Sequence, residues 1–385
     1  MNIFRFILTK PRPWGVSLLV LSGGLLAIGG AVGWSGLVPI AASAGHWPIT
    51  RWILQRAKER SVDTHSLGIQ PPPLTGTSLI RKGAAHYETG CRPCHGAPGS
   101  DRPRIALAMM PPPPDLSLRT TSWEPQHLFY IVKHGIKFTG MPSWPSPGRD
   151  DEVWALVAFL QQLPELDSRA YEKLAQGSDA GAGTAPTQPS LAAPALGLDS
   201  GLLASCNRCH GRDGLSRHDE AFPRIAGQQP AYLRGALRGY ATGQRPSGIM
   251  GPVASALDYE QLTALAIHFS QLEATVVRVQ NDSSLAIERG RNIAMFGIAS
   301  QRVPACVECH GLAEGPRNPA YPRLAGQHAD YLLLQLELFR DERRGGSKYS
   351  HLMRFVAGRL TREQAEEVAN YFASLPWQGF NESPP

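Results

Sequence analysis

All six cysteines of this 385-residue chain fall in three copies of one pattern: Cys91-Arg92-Pro93-Cys94-His95, Cys206-Asn207-Arg208-Cys209-His210 and Cys306-Val307-Glu308-Cys309-His310. Few sequence features restrict a fold so strongly. Stabilising disulfides would not require a histidine after every second cysteine. A structural zinc site needs four ligands, as two cysteine pairs or one pair with distant histidines. A redox-active dithiol of the thioredoxin kind needs a βαβ setting, and none is visible. Cys-x-x-Cys-His is the attachment signature of a c-type haem. Each sulfur adds across one vinyl group, and the histidine that follows is placed to ligate the iron. Three copies that use every cysteine point to three covalently bound haem c groups.

Cys91 and Cys206 are 115 residues apart, and Cys206 and Cys306 are 100 apart. These intervals suit a repeated small domain rather than a short-period solenoid. Units of about 100 residues lie near the lower limit for an independent core. A buried haem adds the apolar surface that the polypeptide lacks.

The N-terminal region indicates where the units reside. No Lys, Arg, Asp or Glu occurs between Arg12 and Arg51, and residues 14–40 are almost wholly apolar. A spanning helix needs about 20 such residues, whereas a cleavable signal has an apolar core of about 7–15. A retained anchor is expected, although Ala42-Ser43-Ala44 resembles a cleavage site. Basic residues flank the segment on both sides (Arg5, Lys10 and Arg12 before it; Arg51, Arg56, Lys58 and Arg60 after it), so charge leaves its orientation open. Attachment of c-type haem takes place outside the cytoplasm, which sends the C-terminal part across the membrane. Residues 46–60 then read as a helix with Ile49, Trp52, Ile53 and Leu54 on one side. Two readings stand: an interfacial helix at the lipid headgroups, or a short helix packed on the first haem unit.

The net charge of +6 does not indicate nucleic acid. Residues 1–76 hold seven Lys/Arg against two Asp/Glu, so nearly all the excess flanks the membrane, where anionic lipid attracts it. No basic recognition helix is present, and nucleic-acid binding is rejected.

Composition divides the chain into an anchor (residues 1–45), an interfacial helix with a Pro-rich linker (46–76), a first haem domain (77–176), a flexible Ala/Gly/Ser/Pro tether (177–196), a second haem domain (197–280) and a third (281–385). Residues 273–285 have no linker character, which makes units two and three a compact pair and leaves the first free to swing on its tether. Each unit closes with an amphipathic helix. Asp150 and Asp151 are expected to cap the first, Asp258 with Gln261 the second and Thr361 with Gln364 the third. Opening helices are expected over residues 79–87 and 286–294, with a shorter one before Cys206.

Helix, Cys-x-x-Cys-His, loop, methionine and closing helix resemble the small all-α class I cytochrome c domain. The expected fold is therefore three such domains in tandem after an N-terminal transmembrane helix. Units two and three resemble the dihaem cytochromes c more closely: Pro223-Arg224-Ile225-Ala226-Gly227-Gln228 matches Pro322-Arg323-Leu324-Ala325-Gly326-Gln327. The resemblance implies that Pro223 and Pro322 orient the proximal histidines through their carbonyls.

The sixth ligand separates carrier from catalyst, because an iron with both axial positions filled passes electrons without binding substrate. Histidine with methionine raises the potential. Met141, Met250 and Met353 stand 46, 40 and 43 residues past His95, His210 and His310. Met141 lies in His-Gly-Ile-Lys-Phe-Thr-Gly-Met-Pro, which resembles the ligand loop of the class I family. Met250 and Met353 lack the following proline. For these two, a core methionine filling a packing gap is the competing reading, with His268 and His351 as rival ligands.

The chain is thus expected to be a membrane-anchored trihaem cytochrome c of the bacterial respiratory chain. It would carry electrons along the periplasmic face of the inner membrane without making bonds. A quinol-oxidising complex or a dehydrogenase is the expected donor, a terminal oxidase the expected acceptor, and membrane lipid a further partner. Two other functions stay open: the cytochrome c subunit of a membrane-bound alcohol or sugar dehydrogenase, and a dihaem-type peroxidase. A candidate methionine in every unit argues against the peroxidase.

Overall fold

In the computed structural model the described residues are 13–119, 123–176, 196–216, 220–273, 285–312 and 318–377. The tether expected at 177–196 lies outside them except for its last residue, as do residues 274–284 between units two and three. The described residues form helices and loops, with only two isolated antiparallel bridges, Ala97 with Ser100 and Ile298 with Val303. The fold is all-α, as expected.

Helix α1 (Pro13–Ser35) is apolar around its whole circumference and exposed from Trp14 to Ser35. Residues Trp14–Ser35 have a mean hydropathy of 2.0, long and apolar enough to cross a membrane. Helix α2 (Pro48–His65) packs on the first unit at its C-terminal end. Its first turns expose Ile49, Trp52, Ile53 and Leu54, while Val62 near its end is buried. His65 stacks on Tyr130 of the first unit at 5.7 Å.

The first unit is built on α3 (Thr77–His86), a π-helical turn (Tyr87–Cys91), α4 (Arg92–His95), α5 (Pro125–His134), α6 (Asp150–Gln162) and α7 (Ser168–Gln176). Opening helix α3 crosses closing helix α6 at Gly83, where a Cβ would lie 2.0 Å from the Ala155 carbonyl oxygen. Only glycine permits that approach. Around the crossing Ile80, Ala84, Tyr87, Val153, Leu156 and Phe159 are buried. Each large side chain buried there stabilises the unit by about 1.5–3 kcal/mol. The Tyr87 hydroxyl donates to the Gly96 carbonyl at 2.8 Å and ties the core to the motif loop. The expected cap of α6 is corrected: Arg149 takes the N-cap position without a side-chain cap bond, and Asp150, Asp151 and Glu152 form the first turn. There they complement the helix dipole instead of capping it.

In the second unit α8 (Ser200–His210) runs straight into the motif, so the opening helix and the attachment helix are one element. It is followed by α9 (Pro230–Ala241), α10 (Met250–Ser255) and α11 (Tyr259–Gln271). The third unit has α12 (Leu285–Phe296), α13 (Val307–His310), α14 (Ala329–Arg340), α15 (Ser350–Ala357) and α16 (Arg362–Ser374). Asp258 with Gln261 and Thr361 with Gln364 form reciprocal capping boxes, as expected.

The three units are packed together. Two reciprocal pairs of glutamine hydrogen bonds, related by a pseudo-two-fold axis, join units two and three. Gln327 Oε1 accepts from Arg224 N at 3.0 Å while its Nε2 donates to Arg224 O at 2.9 Å. Gln228 does the same for Arg323, at 2.8 and 3.1 Å. Buried Trp377 donates to the Ala226 carbonyl at 3.1 Å across the same junction. The first unit docks on the second. Arg149 Nη1 reaches the Pro246 carbonyl at 2.9 Å, and Glu152 accepts from Ser247 and Gly248. Arg343 of the third unit donates to the Gly148 carbonyl at 2.9 Å. This differs from the swinging first domain expected from the tether. A linker's composition reports its own stiffness and nothing about the surfaces at its ends.

Candidate functional site

Each motif ends a short helical stretch and is followed by a glycine with positive φ: Gly96 at 72°, Gly211 at 80° and Gly311 at 63°. The left-handed residue stops the helix and turns the chain back over the histidine. In all three units that histidine is held by a proline carbonyl: His95 Nδ1 to Pro114 O at 2.8 Å, His210 Nδ1 to Pro223 O at 3.1 Å and His310 Nδ1 to Pro322 O at 2.9 Å. The carbonyl fixes the tautomer with hydrogen on Nδ1 and leaves Nε2 for a metal. Burial lowers the proton affinity of all three imidazoles, and the carbonyls act in the opposite direction. The roles implied for Pro223 and Pro322 are met in this geometry. Pro114 was not singled out from sequence; the run Pro111-Pro112-Pro113-Pro114 was its available signal.

None of the six cysteines is in a disulfide, and all are partly buried. Burial pushes the Cys91 thiol up to about 12 and those of Cys209 and Cys306 to about 11. A dithiol used for disulfide exchange needs the opposite shift, toward the thiolate. The thiols therefore suit permanent attachment to a cofactor better than exchange chemistry.

One cavity of about 1320 Å³ receives Cys206, Cys209, His210 and Met250 from the second unit together with Cys306, Cys309, His310 and Met353 from the third. The first residue of α10 is Met250, and α15 carries Met353. In the first unit Met141 lies in the loop after α5, its N–H bonded to Thr139 Oγ1 at 3.1 Å and its carbonyl accepting from Ile136 N at 3.2 Å. Of the rival ligands, His351 is exposed on α15 and His268 is buried in α11.

Sequence reading overlooked the polar lining of this cavity. Arg245 and Arg344 are both buried in it. Arg245 donates to Tyr331 Oη at 2.9 Å and to Gln335 Oε1 at 3.1 Å, and Arg344 donates to Tyr232 Oη at 3.1 Å. Among the described residues no carboxylate pairs with either guanidinium. Burial alone would raise the phenol of Tyr232, but the two guanidiniums outweigh it and lower its pKa. Two buried cations facing paired cysteines, histidine nitrogens and thioethers match a porphyrin with propionate carboxylates. The residues present fit haem c.

Two family models match the chain: that described as cytochrome c oxidase, cbb3-type, subunit III, over residues 78–160, and that described as cytochrome c, over residues 297–376. A thiosulfate dehydrogenase electron acceptor from Thiomonas intermedia is 34% identical over 173 residues, which is 45% of this chain and 79% of that protein. Cytochrome c4 from Azotobacter vinelandii is 32% identical over 185 residues, 46% of this chain and 86% of that one. Among solved structures, that of cytochrome c4 from Acidithiobacillus ferrooxidans shares 34% identity, covers 44% of this chain and 98% of its own, and gives a TM-score of 0.39.

Proposed function

Because the chain belongs to the cytochrome c family, alongside the cytochromes c4 and the thiosulfate dehydrogenase electron acceptors, we propose that it is a trihaem electron relay. In this reading α1 anchors it to the inner membrane and the haem units lie in the periplasm. When bound, haem iron supplies a one-electron couple. The chain binds, orients and tunes it. Cys91 with Cys94, Cys206 with Cys209 and Cys306 with Cys309 would hold the three groups through thioethers. His95, His210 and His310 would be proximal ligands, and Met141, Met250 and Met353 distal ones. The observation that carries the reading is its threefold recurrence: a Cys-x-x-Cys-His helix with Nδ1 on a proline carbonyl, and a methionine in the same unit.

With a histidine and a methionine of each unit holding its group, the sites would pass electrons and would make no bonds. The buried Arg245 and Arg344 would neutralise propionates between the second and third groups. A quinol-oxidising complex or a periplasmic dehydrogenase would be the donor and a terminal oxidase the acceptor. The name of the Thiomonas relative supports a dehydrogenase on the donor side. Docking of the first unit favours a fixed relay over a swinging carrier. It equally suits the second reading, a cytochrome subunit of a membrane-bound alcohol or sugar dehydrogenase. A flavin- or quinone-containing subunit in a gentle detergent extract would identify that case.

The haem assignment is tested by acid–acetone extraction, which should leave all colour on the polypeptide. Replacing Cys206 and Cys209 together by Ala should lower the covalent haem count from three to two. An unchanged count refutes the assignment.

A further inference from the structure

Glu152 stands in the first turn of α6, and its side chain is only 5% exposed. Its carboxylate collects donors from two units. Within the first unit Trp144 Nε1 donates to Oε2 at 3.1 Å and Arg149 Nη1 lies 2.9 Å from Oε1. From the second unit Gly248 N donates to Oε2 at 2.7 Å and the Ser247 hydroxyl to Oε1 at 2.6 Å. A carboxylate buried this deeply is costly unless every lone-pair direction is used. Here two protein N–H groups, a hydroxyl and a guanidinium use them.

The donors belong to particular loops. Trp144 lies three residues past Met141, and its own N–H is bonded to the Lys133 carbonyl at 3.0 Å. Ser247 lies three residues before Met250, and its oxygen accepts from Met250 N at 3.0 Å and Ile249 N at 3.3 Å. The two loops also touch: a Cβ on Gly248 would lie 2.3 Å from Trp144 Nε1, so the indole rests against bare backbone. An adhesive contact between two domains has no need to meet the candidate distal-ligand loop of each. This one does, over a sequence separation of about a hundred residues.

Resting on the ligand reading given above, we propose that Glu152 is a positioning residue shared by two haem sites. Through Trp144 it holds the loop of Met141, and through Ser247 it holds the backbone of Met250. The first unit is then a structural part of the second unit's haem site, and undocking it loosens Met250.

The test uses full-length holoprotein in detergent. In the ferrous state an iron-bound methionine gives an upfield-shifted methyl resonance, and three are expected. Met250→His assigns one of them by its loss. Ser247→Ala removes a single hydroxyl, leaving Met250 N without its acceptor. Glu152→Gln replaces one accepting oxygen by a donor that faces Gly248 N or the Ser247 hydroxyl. Both variants should raise the ligand-off fraction at the second haem about tenfold, equivalent to about 1.4 kcal/mol. That resonance and the ferric thioether–iron band should weaken while the haem count stays at three. Trp144→Phe should perturb the Met141 resonance instead. If Met250→His removes a resonance but Ser247→Ala and Glu152→Gln leave all three unchanged, the positioning role is wrong. If Met250→His removes none, the ligand assignment itself falls. Should Glu152→Gln fail to mature, Ser247→Ala alone decides.

Discussion

Replacing Gln327 by Leu probes the junction of the two C-terminal units at a single amide. Gln327 is buried, and its Oε1 accepts from Arg224 N at 3.0 Å and His328 N at 3.1 Å, while its Nε2 donates to Arg224 O at 2.9 Å. Leucine has nearly the same volume and none of these bonds. Two buried N–H groups and one carbonyl would be orphaned, each at about 1–3 kcal/mol. Partial relaxation and the added apolar surface reduce the sum, and a loss of roughly 3–5 kcal/mol is expected. That is a large fraction of the 5–15 kcal/mol typical of a whole domain. The same substitution reaches His210, the proposed proximal ligand of the second haem. The Pro223–Arg224 peptide offers its N–H to Gln327 and its carbonyl to His210 Nδ1, at 3.1 Å. Bonding at one end polarises the peptide and strengthens the other end by about 10–30%. Without Gln327 the carbonyl draws less on the Nδ1 proton, the imidazole becomes a poorer donor to iron, and the ferric state is less favoured. The second haem should rise in potential by on the order of 5–20 mV, from about 0.1–0.5 kcal/mol on a one-electron scale. Gln228→Leu should do the same to the third haem through Arg323 N and Pro322 O. Guanidinium denaturation of the holoprotein, followed by the thioether–iron band, reads the stability, and spectropotentiometric titration reads the potentials. An unchanged denaturation midpoint would show that these bonds do not join the units. A fall in potential would show that the peptide does not act on the histidine as argued.

Three further outcomes follow from other places in the fold. Met141→His should lower the potential of the first haem without loss of covalent attachment, because imidazole favours ferric iron more than a thioether does; carbon monoxide binding to wild-type ferrous protein would contradict a filled sixth position. Gly248→Val sets a branched side chain where even a Cβ would lie 2.3 Å from Trp144, so the first unit should undock with all three haems retained, seen as a larger radius by X-ray scattering; an unchanged radius would exclude the contact. His86 is lowered to about 3 by burial first, then by Lys82 and Arg149, against the opposing pull of Asp151. Its contribution is thus complete above the unfolded value of about 6.5 and is lost as pH falls toward the folded one, at roughly 1.4 kcal/mol per pH unit. Wild type should lose about 2 kcal/mol between pH 6.5 and 5, and His86→Leu should flatten that slope; equal slopes would mean His86 is not buried neutral.

What the sequence carried by itself was chemistry that is local in the chain. The Cys-x-x-Cys-His spacing, the apolar run of α1, the capping residues Asp258 and Thr361, and one candidate ligand methionine per unit all depend on neighbours within a few tens of residues. Even the mutual match of the stretches around Arg224 and Arg323 was visible as a repeat. Its purpose was not, because Gln228 and Gln327 each act on the other copy's backbone, 95 and 103 residues away. Tertiary structure alone decided that the first unit is docked, that Glu152 joins the loops of Met141 and Met250, and that Arg245 and Arg344 are buried around one shared cavity. Nothing local marks Glu152 off from Asp150 and Asp151 beside it; each suits the first turn of a helix. Burial against a second domain converts one of the three from a solvated helix-start charge into a junction between sites, and burial is a property of the packed chain as a whole.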